Sequence, residues 1–309
     1  MPEDRSTPSG PAVPAAASAR VEVVDPMFAP YVREVETHIR RLPPLSAAIH
    51  EIINQLRNVD SDMGWLEKHI SSDPSLATRL LKMANSAFYG TRSEVFTIPR
   101  ALMTLGFRTS LNVLLAASMR SAFSISVRIP GFQPAGFTRH SVAVGTCAAA
   151  LGRNLPALKS ASDKLFVAGL LHDIGRVALA PLYKRFVTEM FERAADAPPT
   201  PELEREIFGI DHCEAGAMVI SQWKLPADFT DPITHHHDAL EQMVSSPLTL
   251  GVRAADLFVQ GEGYSMVAAR DVGGEFESVL TALRTNGSEV RSVLSRYEAE
   301  SEAFLGAVA

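Results

Sequence analysis

The sequence predicts an all-α protein of two packed helical lobes, and three observations carry that prediction. Apolar residues recur at three- and four-residue spacing through most of the chain, the pattern that lays one apolar stripe along a helix. No run alternates apolar and polar residues as a half-buried strand would. Aromatic residues make up only 7% of the chain while Ala and Leu abound, a composition that favours helices. With 309 residues there is chain enough for one large or two ordinary domains.

The elements can be justified in order. Residues 1–25 are rich in Pro, Ala and Ser without periodic apolar positions, which predicts a disordered tail, with order beginning near Pro26. In AAIHEIINQLR, Ile49, Ile52, Ile53 and Leu56 share one helix face. SSDPSLATRLLKMANSAFYG carries a helix start, with Asp73 as the cap and Pro74 at the first helical position. Leu76, Leu80, Leu81 and Met83 form its apolar face, and it runs out near Tyr89–Gly90. TIPRALMTLGFRTSLNVLLAASM gives a longer helix or a pair, with Thr97 as the cap. The segment VRIPGFQPAG (127–136) breaks the pattern with two prolines and two glycines, which places the division between lobes there. The first lobe is therefore assigned to 26–130 and the second to 131–262. Helices are predicted near 137–152, 161–180, 182–195, 202–208, 212–223, 227–239 and 247–260. Residues 263–309 form a C-terminal helical extension, whose more polar part (272–306) reads as two further helices.

Bulk properties narrow the function. A formal net charge of −6 with no basic stripe argues against direct nucleic-acid binding. Two cysteines, Cys147 and Cys213, give no disulfide framework and fit a reducing compartment. The longest apolar run, LNVLLAASM (111–119), is too short to span a bilayer, and no signal-peptide pattern is present. The expected setting is the cytoplasm, with no membrane.

The chemistry centres on GLLHDIGRVAL (169–179), which reads as part of one buried helix although it holds His172 and Asp173 side by side. Burying an imidazole beside a carboxylate costs several kcal/mol unless hydrogen bonds, a counter-charge or a metal compensate. Other groups lie along the chain: His140, His212, the triplet His235–His236–His237, and Asp256. Each has a bland reading alone: a satisfied core histidine for His140, a solvated helix end for the triplet, a surface acid for Asp256. Together, on amphipathic helices, they make the ligand set of one or two divalent ions such as Fe, Mn, Zn or Mg. A carboxylate next to a histidine can bridge two ions and so serve phosphoryl displacement. Arg176, one turn beyond His172, reads first as a surface salt bridge and alternatively as a phosphate contact. Cys213 reads as a small core residue, and Asn85–Ser86 as a helix-end hydrogen-bond set.

The stretches LPPLSAAIHEIINQL, SSDPSLATRLLKMANSAFYG and IPRALMTLGF, followed by HDIGRVAL, EREIFGIDHCEAGAMVISQWKLP and ITHHHDAL, resemble the HDOD ("HD-related output domain") family over about 35–260. That family lies within the HD superfamily of metal-dependent phosphohydrolases. The resemblance implies two helical lobes, the second HD-like. It implies that His140 is the first HD-type ligand, His172 and Asp173 the name-giving doublet, His212, His236 and His237 additional ligands, and Asp256 the last. It implies a bacterial signalling output module, commonly non-catalytic, with signalling proteins as partners and a metal or nucleotide as ligand. The alternative it allows is a metal-dependent phosphohydrolase or phosphodiesterase acting on a nucleotide or other phosphoester, with Asp173 and Arg176 in catalytic roles. Two departures argue against cyclic-di-GMP hydrolysis: Arg176 stands where such enzymes carry lysine, and HHHDALEQMVSSP lacks their Gly-Tyr-Pro motif. Gly136 also replaces the glutamate expected one turn before His140.

Overall fold

The structure is a computed structural model that describes residues 25–45, 47–55, 63–91, 93–123, 134–186, 188–189, 199–262 and 271–308. Among the described residues every regular element is helical. The predicted tail, apart from Asp25, lies outside the described residues, as do Leu56 and most of the predicted break at 127–136.

The first lobe is built by α2 (Ala47–Gln55), α3 (Met63–Ser71), α4 (Pro74–Ala84), α5 (Ile98–Leu105) and α6 (Phe107–Phe123). Asp73 caps α4 by accepting hydrogen bonds from the Ser75 and Leu76 amides, and Pro74 sits at its first position. Leu76, Leu80 and Met83 are buried; Leu81 packs at the edge of the core. Asn85 closes the helix by bonding the Leu81 carbonyl and both backbone groups of Val95. The long predicted helix after Thr97 is a pair. Gly106, at φ +76°, lets α5 and α6 meet at 109°, and Thr97 precedes α5 without a capping hydrogen bond from its side chain.

The second lobe comprises α7 (Pro134–Asn154), α8 (Leu165–Leu171), α9 (Gly175–Arg185), α10 (Pro201–Phe208), α11 (His212–Gln222), α12 (Thr230–His235), the short α13 (Leu240–Met243) and α14 (Pro247–Gly261). The predicted continuous helix over 161–180 is interrupted. Hydrogen bonds from Ile174 to Leu171 and from Arg176 to Asp173 are of the tighter i to i+3 kind, so His172–Ile174 form a turn between α8 and α9. The apolar spacing continues through the turn because both flanking helices are buried. Helices α7 and α8 touch backbone to backbone at Gly145 and Gly169: a side chain on Gly169 would lie 2.9 Å from the Gly145 Cα.

Two segments cross the division inferred from sequence. Helix α1 (Ala29–Arg41), assigned with the first lobe, packs instead on α9 and α11, where Val35 and Ile39 are buried and Tyr31 meets Phe186 edge to face. The C-terminal segment forms three helices rather than two: α15 (Gly273–Ala282), α16 (Gly287–Val293) and α17 (Tyr297–Val308). The last of these lies against α4, α6 and α7 and so touches both lobes, with Arg79 of α4 donating to the Ala307 and Val308 carbonyls. The stretch Leu165–Arg185 is long and apolar enough to cross a membrane, but 94% of its most apolar window is buried inside the fold.

Candidate metal centre

Five elements of the second lobe aim their polar groups at one point. His140 comes from the middle of α7, His172 and Asp173 from the turn between α8 and α9, His212 from the first position of α11, His236 and His237 from the end of α12, and Asp256 from α14. A capping box, in which Asp211 and Glu214 exchange hydrogen bonds, fixes the start of α11 and hence His212. His140, His172, Asp173, His212, His236 and Asp256 are all buried, none more than 3% exposed. His237 is half-buried, and His235 points away, pairing with Asp238.

The distances show two overlapping groups. In the first, the Nε2 atom of His140 lies 3.3 Å from Nε2 of His172 and 3.3 Å from Oδ1 of Asp256. His172 Nε2 is 3.6 Å from Oδ2 of Asp173 and 3.8 Å from Oδ1 of Asp256. In the second, Oδ1 of Asp173 lies 3.3 Å from His212 Nε2 and 3.7 Å from His236 Nε2, with His237 alongside. Asp173 belongs to both groups.

Hydrogen bonds on the far side of each ring fix the tautomers. His172 Nδ1 donates to the Gly169 carbonyl at 2.8 Å, and His236 Nδ1 to the Pro232 and Ile233 carbonyls, which turns both Nε2 lone pairs inward. His212 Nδ1 donates to Glu204 at 2.6 Å, and the Tyr183 hydroxyl donates to the other oxygen of the same carboxylate. Gln260 donates to Oδ1 of Asp256 at 2.7 Å.

Two arginines frame the centre. Arg176 is buried, which corrects the reading of it as a surface salt bridge. Its Nε stands 2.9 Å from Asp173 and its Nη1 3.1 Å from both Glu204 and the Pro199 carbonyl. The helical turn that follows His172–Asp173 folds it back onto the carboxylate rather than outward. Arg253 of α14 reaches His237 Nδ1 at 3.2 Å and Asp256 at 3.6 Å, and it pairs with Glu275 of α15. Asp256, likewise, is a core residue and not a surface acid.

These charges set the protonation states. Burial acts to raise the Asp173 carboxyl, but Arg176 first, then His172 and His212, hold it well below the usual carboxylate range. Asp256 is lowered in the same way, against burial, by a hydrogen bond from His140 and the charges around it. Burial brings His172 down to about 4, against the pull of Asp173 and Asp256. His237 is lowered by burial and by the histidines and arginine beside it.

The donor set fits a divalent cation. Oδ1 of Asp173, Oδ2 of Asp256 and Nε2 of His236 are buried without a hydrogen bond, although buried polar atoms are nearly always satisfied. Two nitrogens 3.3 Å apart would each reach an ion at about 2.1 Å with an angle of about 105°, close to tetrahedral. Sequence reasoning missed Glu204, Tyr183, Arg253 and Gln260. Glu204 in PELEREIFGIDH and Gln260, one turn after Asp256, carry no ligand-like signal of their own, since their role is to hold other side chains.

The helical scaffold brings a His, a His-Asp pair and a final Asp to one buried point. The chain belongs to the HDOD family, whose domain model matches residues 42–239. An HDOD domain protein of unknown function from Geobacter sulfurreducens is similar over 90% of this chain and 97% of its own, at 20% identity and a TM-score of 0.76. A candidate phosphohydrolase from Shewanella amazonensis SB2B, 22% identical, covers 88% of this chain and 97% of its own at 0.67. A candidate signal transduction protein from Marinobacter aquaeolei VT8, 20% identical, covers 93% and 67% at 0.67. At these identities the likeness is one of fold. An uncharacterized protein of Treponema pallidum (strain Nichols) is 24% identical over 205 residues, 66% of this chain; the chain spans 39% of that relative's length.

Proposed function

We propose that this chain is a regulatory output module whose second lobe holds a divalent metal in a closed centre, and that it works by binding rather than by turnover. The observation that carries this reading is an intact donor set that is sealed: the ligand-type side chains retain unsatisfied atoms, yet almost none of their surface meets solvent. His140, His172, Asp173 and Asp256 would hold the cation. When bound it would supply positive charge between two carboxylates and Lewis acidity toward a phosphoryl oxygen. The residues' own work is to keep both carboxylates ionised and the inward nitrogen of His172 free of a proton, its ring held by the Gly169 carbonyl.

A change in packing around the centre has a route outward. Helices α6 and α17 touch both α7 and first-lobe helices, so a shift of α7 would be felt in the first lobe. That lobe exposes two large apolar side chains, Phe96 and Met103, at 73% and 81%, open to a signalling protein partner. Two buried, unbridged cysteines fit a reducing cytoplasm.

The second reading, a metal-dependent phosphohydrolase or phosphodiesterase, is favoured by the same complete donor set and would use Asp173 as ligand and Arg176 on phosphate. It requires Arg176 to leave its ion pair with Asp173 and the hydrogen bonds of its Nη1 to Glu204 and the Pro199 carbonyl. Metal analysis of protein purified without added metal, paired with a screen of nucleotides and phosphodiesters including cyclic-di-GMP, separates the two. The output module is expected to carry metal and turn over none of them; hydrolysis at ordinary enzymatic rates would establish the second reading instead.

A further inference from the structure

We infer that the hydrogen bond from His50 of the first lobe to the Trp223 carbonyl is a latch on the far end of α11: it keeps His212 beside Asp173, and a metal at the centre in turn tightens this contact between the lobes. The inference rests on the metal-centre reading above and goes beyond it by naming the helix and the residue through which the first lobe and the centre act on each other.

The near end of α11 moves only as a whole. His212, its first residue, sets Nε2 3.3 Å from Oδ1 of Asp173. One oxygen of Glu204 lies 2.7 Å from the His212 backbone nitrogen and 2.6 Å from its Nδ1, so the ring is fastened to the helix that carries it. The capping box of Asp211 and Glu214 keeps the first turn closed. A shift of His212 relative to Asp173 is therefore a shift of the whole helix, which runs about 16 Å from His212 to Trp223 at the ordinary rise per residue.

The far end meets the first lobe. Trp223 closes α11 with its N–H to the Val219 carbonyl, and its own carbonyl, of the kind a helix end leaves over, accepts from His50 Nε2 at 2.7 Å. His50 sits on α2 among Ile49, Ile52 and Ile53, which are buried in the first-lobe core and anchor the donor. Trp223 is itself buried, and its indole Nε1 has no hydrogen-bond partner, although buried N–H groups are nearly always paired. That orphan marks a competing position of α11, in which the helix slides until the indole N–H finds an acceptor, the His50 contact parts and His212 leaves Asp173. A cation binds best where the donors around Asp173 are gathered, His212 among them. His50 and the cation thus favour the same one of two positions of a stiff helix, and the coupling is reciprocal.

The test uses the full chain with Trp65→Phe, which leaves Trp223 as its one tryptophan, and titrates chelator-stripped protein with Zn(II). Occupancy is read by competition with a chelating dye, and Trp223 fluorescence is expected to change in step with it. His50→Phe in this background is expected to weaken Zn(II) binding about fivefold or more and to shrink the fluorescence change. His50→Gln, whose amide nitrogen takes the place of Nε2, is expected to restore both. A smaller loss in His50→Phe, even with a lower melting temperature, would make His50 a structural residue only and overturn the inference while leaving the metal centre standing. So would a Trp223 signal that stays flat to saturation, or a His50→Gln protein no better than His50→Phe. If His50→Phe does not fold, the fluorescence of the Trp65→Phe parent decides alone. No Zn(II) bound by that parent would defeat the metal-centre reading itself, and the inference with it.

Discussion

Gly175→Ala tests the packing that assembles the centre. Gly175 opens α9 two residues after Asp173, and the backbone of α11 passes directly over it. A methyl group there would stand 1.8 Å from the His212 carbonyl oxygen and 2.5 Å from the Gly216 nitrogen. Both obstacles are backbone, so neither can rotate aside. Room for the methyl requires α11 to withdraw by about 1.5 Å, a displacement of the kind that overpacking typically penalises by about 1–3 kcal/mol. The withdrawal carries His212 away from both Asp173 and Glu204, which hold it at 3.3 and 2.6 Å. Helix propensity acts the other way, favouring Ala over Gly by about 1 kcal/mol. With the clash at the upper end of its range, the net loss is about 2 kcal/mol, or a melting temperature lower by about 4–8 °C. Thermal unfolding followed by circular dichroism measures it, with Gly274→Ala as the control because nothing lies within 4 Å of a methyl at that site. A Gly175→Ala protein that melts at or above the parent would refute the claim that this glycine is what lets α9 and α11 meet.

Three further outcomes are expected. Leu80→Ala, at a position with 0% exposure in the first-lobe core, should lower stability by about 2–5 kcal/mol in urea titrations. Asp173→Ala removes the carboxylate shared by both groups of ligands and should abolish metal retention while circular dichroism stays helical; full metal occupancy in that variant would mean the ligands are wrongly assigned. The metal-free protein should lose stability as pH falls from about 6.5 to about 4: the buried His172 titrates near 4, below its unfolded value, so the unfolded chain binds the proton first and the native state loses about 3 kcal/mol across that window. His212, shifted the opposite way, adds stability only while the unfolded chain's histidine takes up its proton, at the upper end of that window, and gives nothing against the loss nearer pH 4. Denaturant midpoints measured between pH 7 and pH 4 check this, and a flat profile would contradict it.

Much of this was legible in the sequence because it depends on local rules. The helical stripes, the Asp73–Pro74 start and the break into helices are written in short-range spacing. The histidines and acids stood out because charged groups in apolar helices demand a partner, and six of the seven proposed ligands are indeed buried together. What escaped the sequence depends on distant contacts. Helix α1 packs away from its neighbours in sequence because Val35 and Ile39 find their apolar partners on α9 and α11. The break at His172–Ile174 is invisible to periodicity, since buried helices on both sides keep the pattern apolar through the turn. Arg176 looked like a surface residue because an arginine in a sequence does not show which carboxylates will surround it; Glu204 lies 28 residues away.

Charge balance explains why so polar a centre survives burial. Asp173, Asp256 and Glu204 bring three negative charges into the core, and Arg176 and Arg253 bring two positive ones, the second shared with Glu275 at the edge. The described core is therefore short of positive charge, and an unpaired buried carboxylate is costly. In the metal-free protein His212 makes up the difference: burial and Arg176 act to discharge it, but Glu204 against its Nδ1 prevails and holds it charged well above the ordinary histidine range. A divalent cation beside Asp173 adds positive charge that loss of the His212 proton partly offsets, so metal uptake is expected to release a proton.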